Sequence, residues 1–206
     1  MTATESTRGS KRFLVAGGSL LAVAGMLTAA AFTDFANLNL GGDSGIGGDN
    51  TRFNIQVVGT DPETNEPIPG TWQEANTAEG VAIAVPGADL ITPGDTVSVE
   101  IPFRNESPAL GADLAFTLQD RAGFVSDAEF AQAVRYTIAL DGTEIVANAT
   151  QEAVADLDLG VYAAGEEGVL SVSITLPDQG SVEANNALQG KTTYVQAHFD
   201  ASSVQP

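Results

Sequence analysis

The 206-residue chain sets 27 Asp and Glu against eight Lys and Arg, for a net charge of −19, with one His and no Cys. That balance excludes nucleic-acid binding through phosphate neutralisation, and adhesion to anionic lipid, both of which need clustered cations. The missing thiols exclude cysteine catalysis and thiolate metal sites, and a chain this long buries enough core to fold without disulfides.

Arg8, Lys11 and Arg12 precede an uncharged apolar run from Phe13 to Ala31, which ends in the small residues Thr28 to Ala31. Basic, apolar and small segments in that order predict a secretory signal peptide, with Ala30 and Ala31 at the cleavage site. The alternative is a retained anchor, since the run could just span a bilayer. Gly17, Gly18, Gly25 and the alanine-rich end favour cleavage. Removing residues 1–30 would leave five basic and 26 acidic residues and a net charge near −21.

Three regions are therefore expected: residues 1–30 as the cleaved signal peptide, 31–49 as an N-terminal strand and glycine-rich hinge, and 50–206 as a β-sandwich domain. Phe32, Ala36, Leu38 and Leu40 share one face at period 2, interrupted by Asp34. The hinge follows at Gly41, Gly42, Gly45, Gly47 and Gly48, too glycine-rich to pack a core.

Short alternating runs come next, at 53–58, 81–85, 96–103, 114–118, 169–176 and 192–199. Thr92-Pro93-Gly94-Asp95 is a turn, with proline presetting φ. Asp141-Gly142, between the apolar residues of 136–140 and 145–146, predicts a hairpin. Ser126-Asp127-Ala128-Glu129 reads as a capping box opening a short helix, with a second helical piece at 182–188. At least seven short strands and one or two short helices predict an all-β, sandwich-type fold.

Few residues suggest chemistry. His198, alone, falls short of a zinc ligand set, and no nucleophile motif accompanies it. Asp141 with Glu144, and Asp156 with Asp158, lack the ligand count of a calcium loop and read as turns, as does Glu166-Glu167. Asn105-Glu106-Ser107 and Asn148-Ala149-Thr150 match the glycosylation pattern, which marks surface.

The Ala30-Ala31-Phe32-Thr33-Asp34 junction resembles the processing site of proteins exported through a SipW-type signal peptidase, the TasA, CalY and camelysin group of Gram-positive bacteria with its actinobacterial relatives. The resemblance is carried by the Gly17-Gly18 leader, by the Thr92-Pro93-Gly94-Asp95 turn with Asn105 beyond its strand, and by Leu176-Pro177, Asn185 to Lys191 and the strand to Phe199. It implies a jelly-roll-like sandwich, export, and a fibre subunit of the cell surface or biofilm matrix. Such subunits pass an N-terminal strand to the next copy, a role that would fall here to Phe32, Ala36, Leu38 and Leu40. An ordinary first strand fits the same alternation.

The partners implied are further copies of the chain, head to tail, the signal peptidase during export, and other matrix proteins. No nucleic acid is expected, nor membrane after cleavage, and no cofactor. Two rivals remain: a monomeric surface-binding module using Trp72 and Tyr162, and a camelysin-like metallopeptidase, for which the sequence offers no ligand cluster. The expected protein is not an enzyme.

Overall fold

The computed structural model describes residues 52–205 and the backbone of Thr33–Asp34. Ala30, Ala31, Phe32, Ala36, Leu38, Leu40 and the hinge glycines lie outside the described residues. In chain order the strands are β1 (Thr33–Asp34), β2 (Ile55–Thr60), β3 (Pro67–Gln73), β4 (Thr96–Asn105), β5 (Gly111–Asp120), β6 (Arg135–Leu140), β7 (Thr143–Ala149), β8 (Leu157–Tyr162), β9 (Glu167–Thr175) and β10 (Val195–Val204). Helix α1 is Ala128–Ala133 and α2 is Val182–Asn186. Every described strand pair is antiparallel.

Two sheets result, ordered β1-β10-β5-β8 and β3-β2-β4-β9-β6-β7. With the β2–β3 hairpin set aside as an insertion, the remaining eight strands number 1-8-3-6 and 2-7-4-5. That is the double Greek key of a jelly roll. The expected fold class holds.

The core follows from alternation. Val99, Ile101 and Phe103 of β4 stand opposite Val172, Leu170 and Gly168 of β9; Ile138 of β6 continues the Val172 row, and Tyr136 stands opposite Ile174. Ala112, Leu114, Phe116 and Leu118 of β5 face them from the other sheet, all buried. Each such large side chain is worth about 1.5–3 kcal/mol of transfer free energy. Phe103 needs a glycine opposite it. A Cβ on Gly168 would lie 2.6 Å from the Phe103 ring and 2.9 Å from that of Tyr162. The ring of Phe103 stacks edge-on against Tyr162 and also meets Phe199.

The turns behave as their residues dictate. Asp141 and Gly142 both take positive φ, 49° and 78°, the two left-handed positions of a tight hairpin. At the Thr92–Asp95 turn, the Thr92 hydroxyl and backbone N–H both donate to the Asp95 carboxylate. Those two bonds hold its pKa below the ordinary aspartate value.

Several expectations are corrected. Residues 81–85 form no strand; they are an extended connection, with Ala84 N bonded to Asn65 O and with Ile83 and Val85 packed on the core. The alternation there reports one-sided packing without a sheet neighbour. Strand β3 escaped notice because Pro67, Pro69 and Gly70 weaken a strand pattern, yet an edge strand needs few ladder donors. Strand β8 was hidden by Asp158 and Gly160. Ser126 does not cap α1, whose N-cap is Asp127 and whose first turn has no side-chain cap bond. The Ser126 hydroxyl accepts from Tyr194 N at 2.8 Å instead, tying the helix entry to the start of β10. Helix α2 does have its cap, Ser181 Oγ accepting from Ala184 N.

Tyr136, 2 % exposed, has its hydroxyl pKa pushed up to about 12 by burial. The folded state therefore holds this proton more tightly than the unfolded chain, whose tyrosines titrate near 10. That stabilisation is complete below pH 10 and is lost as pH rises towards 12, by up to about 2–3 kcal/mol. Denaturant midpoints measured between pH 9 and 12 should fall steeply, and less so in Tyr136→Phe. Equal slopes in the two proteins would contradict the assignment.

Candidate functional site

Strand β10 is the centre of the candidate site. One edge pairs with β5 along all ten residues, from Val195↔Asp120 to Val204↔Gly111. The other edge meets β1 only at Ser202 and Ala201, opposite Thr33 and Asp34. Among the described residues no strand covers that edge from Val195 to Asp200.

Pairing also fixes which face is inward. Ala197, Phe199 and Ala201 stand opposite Leu118, Phe116 and Leu114, which are buried. Phe199 closes the aromatic cluster, 5.3 Å from Phe116 and 5.2 Å from Phe103. Beside the open edge lies a cleft of about 500 Å³ between the two sheets. Its apolar walls include Ile55, Val57, Ile83, Ile101, Ala197 and Phe199. The connection at residues 75–83 forms the far wall, and the Gln196 side chain reaches it by donating to Ala78 O. Gln119 holds Gln196 from the other side at 2.9 Å. Chemically, this place offers a row of backbone donors and acceptors beside an apolar trough. It suits an extended segment with alternate apolar side chains.

The other residues singled out from sequence scatter. His198 alternates to the outer face and pairs with Asp200 at 3.2 Å. Among the described residues no group of three His, Cys, Asp or Glu is placed to hold a metal ion. Asp141 Oδ1 accepts from Val169 N and Asp158 Oδ1 from Gly160 N, so both carboxylates serve turns. Glu166 does the same for Ala163 N.

Tyr162 is no contact residue. It is 6 % exposed and packs on Phe103. Burial, with the charges of Asp141 and Glu166, raises its pKa. Trp72 is half-buried on β3, with the Arg104 guanidinium 4.8 Å above its ring. Arg104 is held in turn by Gln56 and by Glu106 at 2.5 Å.

The two glycosylation patterns divide. Asn148 is exposed, but Asn105 is 0 % and Ser107 2 % exposed, so the first does not mark surface. The Asn105 amide donates to Leu110 O, Tyr162 O and Ala163 O, and its oxygen accepts from Ser107 N. This one side chain joins the β4–β5 crossing to the β8–β9 turn. Nothing local in the sequence distinguishes it from a surface asparagine.

No protein-family model matches this chain, and no curated protein is significantly similar to it. The likeness to the TasA, CalY and camelysin group rests on its motifs.

Proposed function

We propose that this protein is a secreted structural subunit of a cell-surface or biofilm-matrix fibre, joined by an N-terminal strand passed from each copy into the cleft of the next. The edge of β10 from Val195 to Asp200, which no described strand covers, carries the reading together with the apolar cleft beside it. Within one copy β1 takes the register Thr33↔Ser202, Asp34↔Ala201, and a strand passed from another copy would adopt the same one. Continued by a donated strand, that register would set Ala36 opposite Phe199, Leu38 opposite Ala197 and Leu40 opposite Val195. The apolar face chosen from alternation would then meet the inward face of β10, with Asn37 and Asn39 on the side of His198 and Gln196.

The basic-apolar-small leader supports export, and the motif resemblance supports a matrix role. Each leucine buried in the cleft contributes about 1.5–3 kcal/mol, and each ladder hydrogen bond about 1 kcal/mol. Passing an identical element between copies is a low-cost route to assembly, and when head to tail it is open-ended. No cofactor or catalytic group enters.

A monomeric binding module is the second reading, supported by half-exposed Trp72 under Arg104 on the outer face. One comparison separates them. The mature chain is expected to form fibres by negative-stain microscopy, and the chain lacking residues 31–42 to stay monomeric on size exclusion. Monomers from both, at high concentration and across pH, would sink strand donation.

A further inference from the structure

Among the described residues the two sheets end in four edges, at β1, β8, β3 and β7. Three of them are spoiled as templates by their own chemistry. Strand β3 opens Pro67-Ile68-Pro69-Gly70; neither proline has an N–H to donate, and Gly70 takes φ 77°. The β6–β7 pairing slips register twice, and Asn148 near the end of β7 sits at φ 51°. The β5–β8 pairing slips once, beside Gly160 of β8 at φ 88°. Prolines and bulges of this kind stop edge-to-edge pairing.

Strand β10 has none of these devices. It carries no proline or glycine, and it pairs with β5 over ten residues without a slip. Left bare, its other edge is a regular template for strand addition. The strand described against that edge is β1 of the same chain, with Thr33 opposite Ser202 and Asp34 opposite Ala201.

Ala201 and Ser202 are also the positions that a strand from another copy would take in the register proposed above. One backbone edge holds one strand at a time, so the two pairings exclude each other. Both make the same contacts, as in any exchange of an identical element between copies. The contacts at Ala201 and Ser202 therefore cancel between the separate subunit and the fibre. What remains is the cost of releasing β1, which slows growth, and the advantage of a tethered strand over a free one at low protein concentration.

We infer that β1 is a removable guard: in the separate subunit it pairs with β10 of its own chain, and no copy accepts a strand until its own β1 has left. The inference rests on strand donation as proposed above. It gives assembly a threshold, since dilute copies stay closed and growth waits on the opening of each one. The sheet edge that is not blunted by its own sequence is thereby kept from pairing before release.

The chain has no cysteine, so Thr33→Cys with Ser202→Cys introduces its only thiols. Directly opposite Cα atoms of an antiparallel pair lie about 4.5–5.5 Å apart, within the span of a disulfide. The full mature chain carrying both is oxidised while dilute, and fibre growth is followed by light scattering and microscopy. A link within one copy is expected, running as a monomer on a non-reducing gel with the two cysteine peptides joined in the mass spectrum. Locked copies alone should grow fibres at least tenfold more slowly than the parent, and reductant should restore the parental rate. Mixed into the parent as a minor fraction, they should leave growth close to parental, because a closed copy cannot join a fibre. A locked copy that did accept a strand could pass none on, so shortened fibres in that mixture overturn the guard while leaving strand donation standing. Locked copies growing at the parental rate overturn it too, as do thiols that link only between copies or not at all. If the reduced double variant melts well below the parent, Asp34→Cys with Ala201→Cys takes its place in the same series. If the parent chain yields no fibres, strand donation fails and the guard with it.

Discussion

Asn105→Ala is expected to destabilise the sandwich by about 4 kcal/mol, a large share of the 5–15 kcal/mol typical of a domain. Asn105 is 0 % exposed, and its amide serves the carbonyls of Leu110, Tyr162 and Ala163 at 2.8, 3.0 and 3.2 Å. Truncation deletes these bonds and the one from Ser107 N, and leaves the buried Tyr162 carbonyl, the buried Ser107 N–H and the part-buried carbonyls of Leu110 and Ala163 facing a methyl group. Each orphaned group costs about 1–3 kcal/mol, and partial rearrangement returns some of that. For a protein of this size the melting temperature should drop by about 10–15 °C. Asn105→Asp keeps the acceptor but turns a carboxylate on the carbonyls, so it should be no better. Ser107→Ala should cost only about 1 kcal/mol, since its hydroxyl accepts a single bond, from Asn54 N, among the described residues. Denaturant melts of the three settle the matter. A loss below about 1.5 kcal/mol for Asn105→Ala would show that the crossing and the turn hold without it.

Ala197→Lys is expected to abolish fibre growth while sparing the fold. Ala197 shares the inward face with Phe199, yet it is exposed because the cleft beside it is open. In the single copy a lysine there can lay its stem along the cleft and keep its ammonium in water. A strand docked opposite it would trap that charge against Leu38, at a cost of several kcal/mol. Growth should fall more than 100-fold, because each 1.4 kcal/mol is a factor of ten. The melting temperature should stay within a few degrees of the parent. Fibres from A197K at the parental rate would remove β10 as the acceptor edge.

Much of the fold could be read from local chemistry. Asp141-Gly142 marked its hairpin because both residues tolerate the left-handed backbone. Thr92 to Asp95 marked its turn through proline and glycine. The rows of β4, β5 and β9 showed through period-2 alternation, since one face of each is buried. Where that logic misled, a neighbour far along the chain had decided otherwise. Residues 81–85 alternate but pair with no strand. Ser126 had the spacing of a cap and bonds Tyr194 instead. Strand β8 forms across Asp158 and Gly160 because β5 supplies its ladder.

Of the residues proposed to meet at the candidate site, only one apolar face was legible. Alternation of Ala36, Leu38 and Leu40 can be read along ten residues of chain. The cleft cannot, because its walls come from β2, β4, β10 and the connection at 75–83. The buried amide of Asn105 belongs to the same class. By itself the sequence determined an all-β chain, its main turns and its acidity, since periodicity, backbone preference and charge are local or additive. Only the tertiary structure decided which strands flank β10, which residues wall the cleft beside it and which asparagine is buried, because each depends on residues brought together from far apart in the chain.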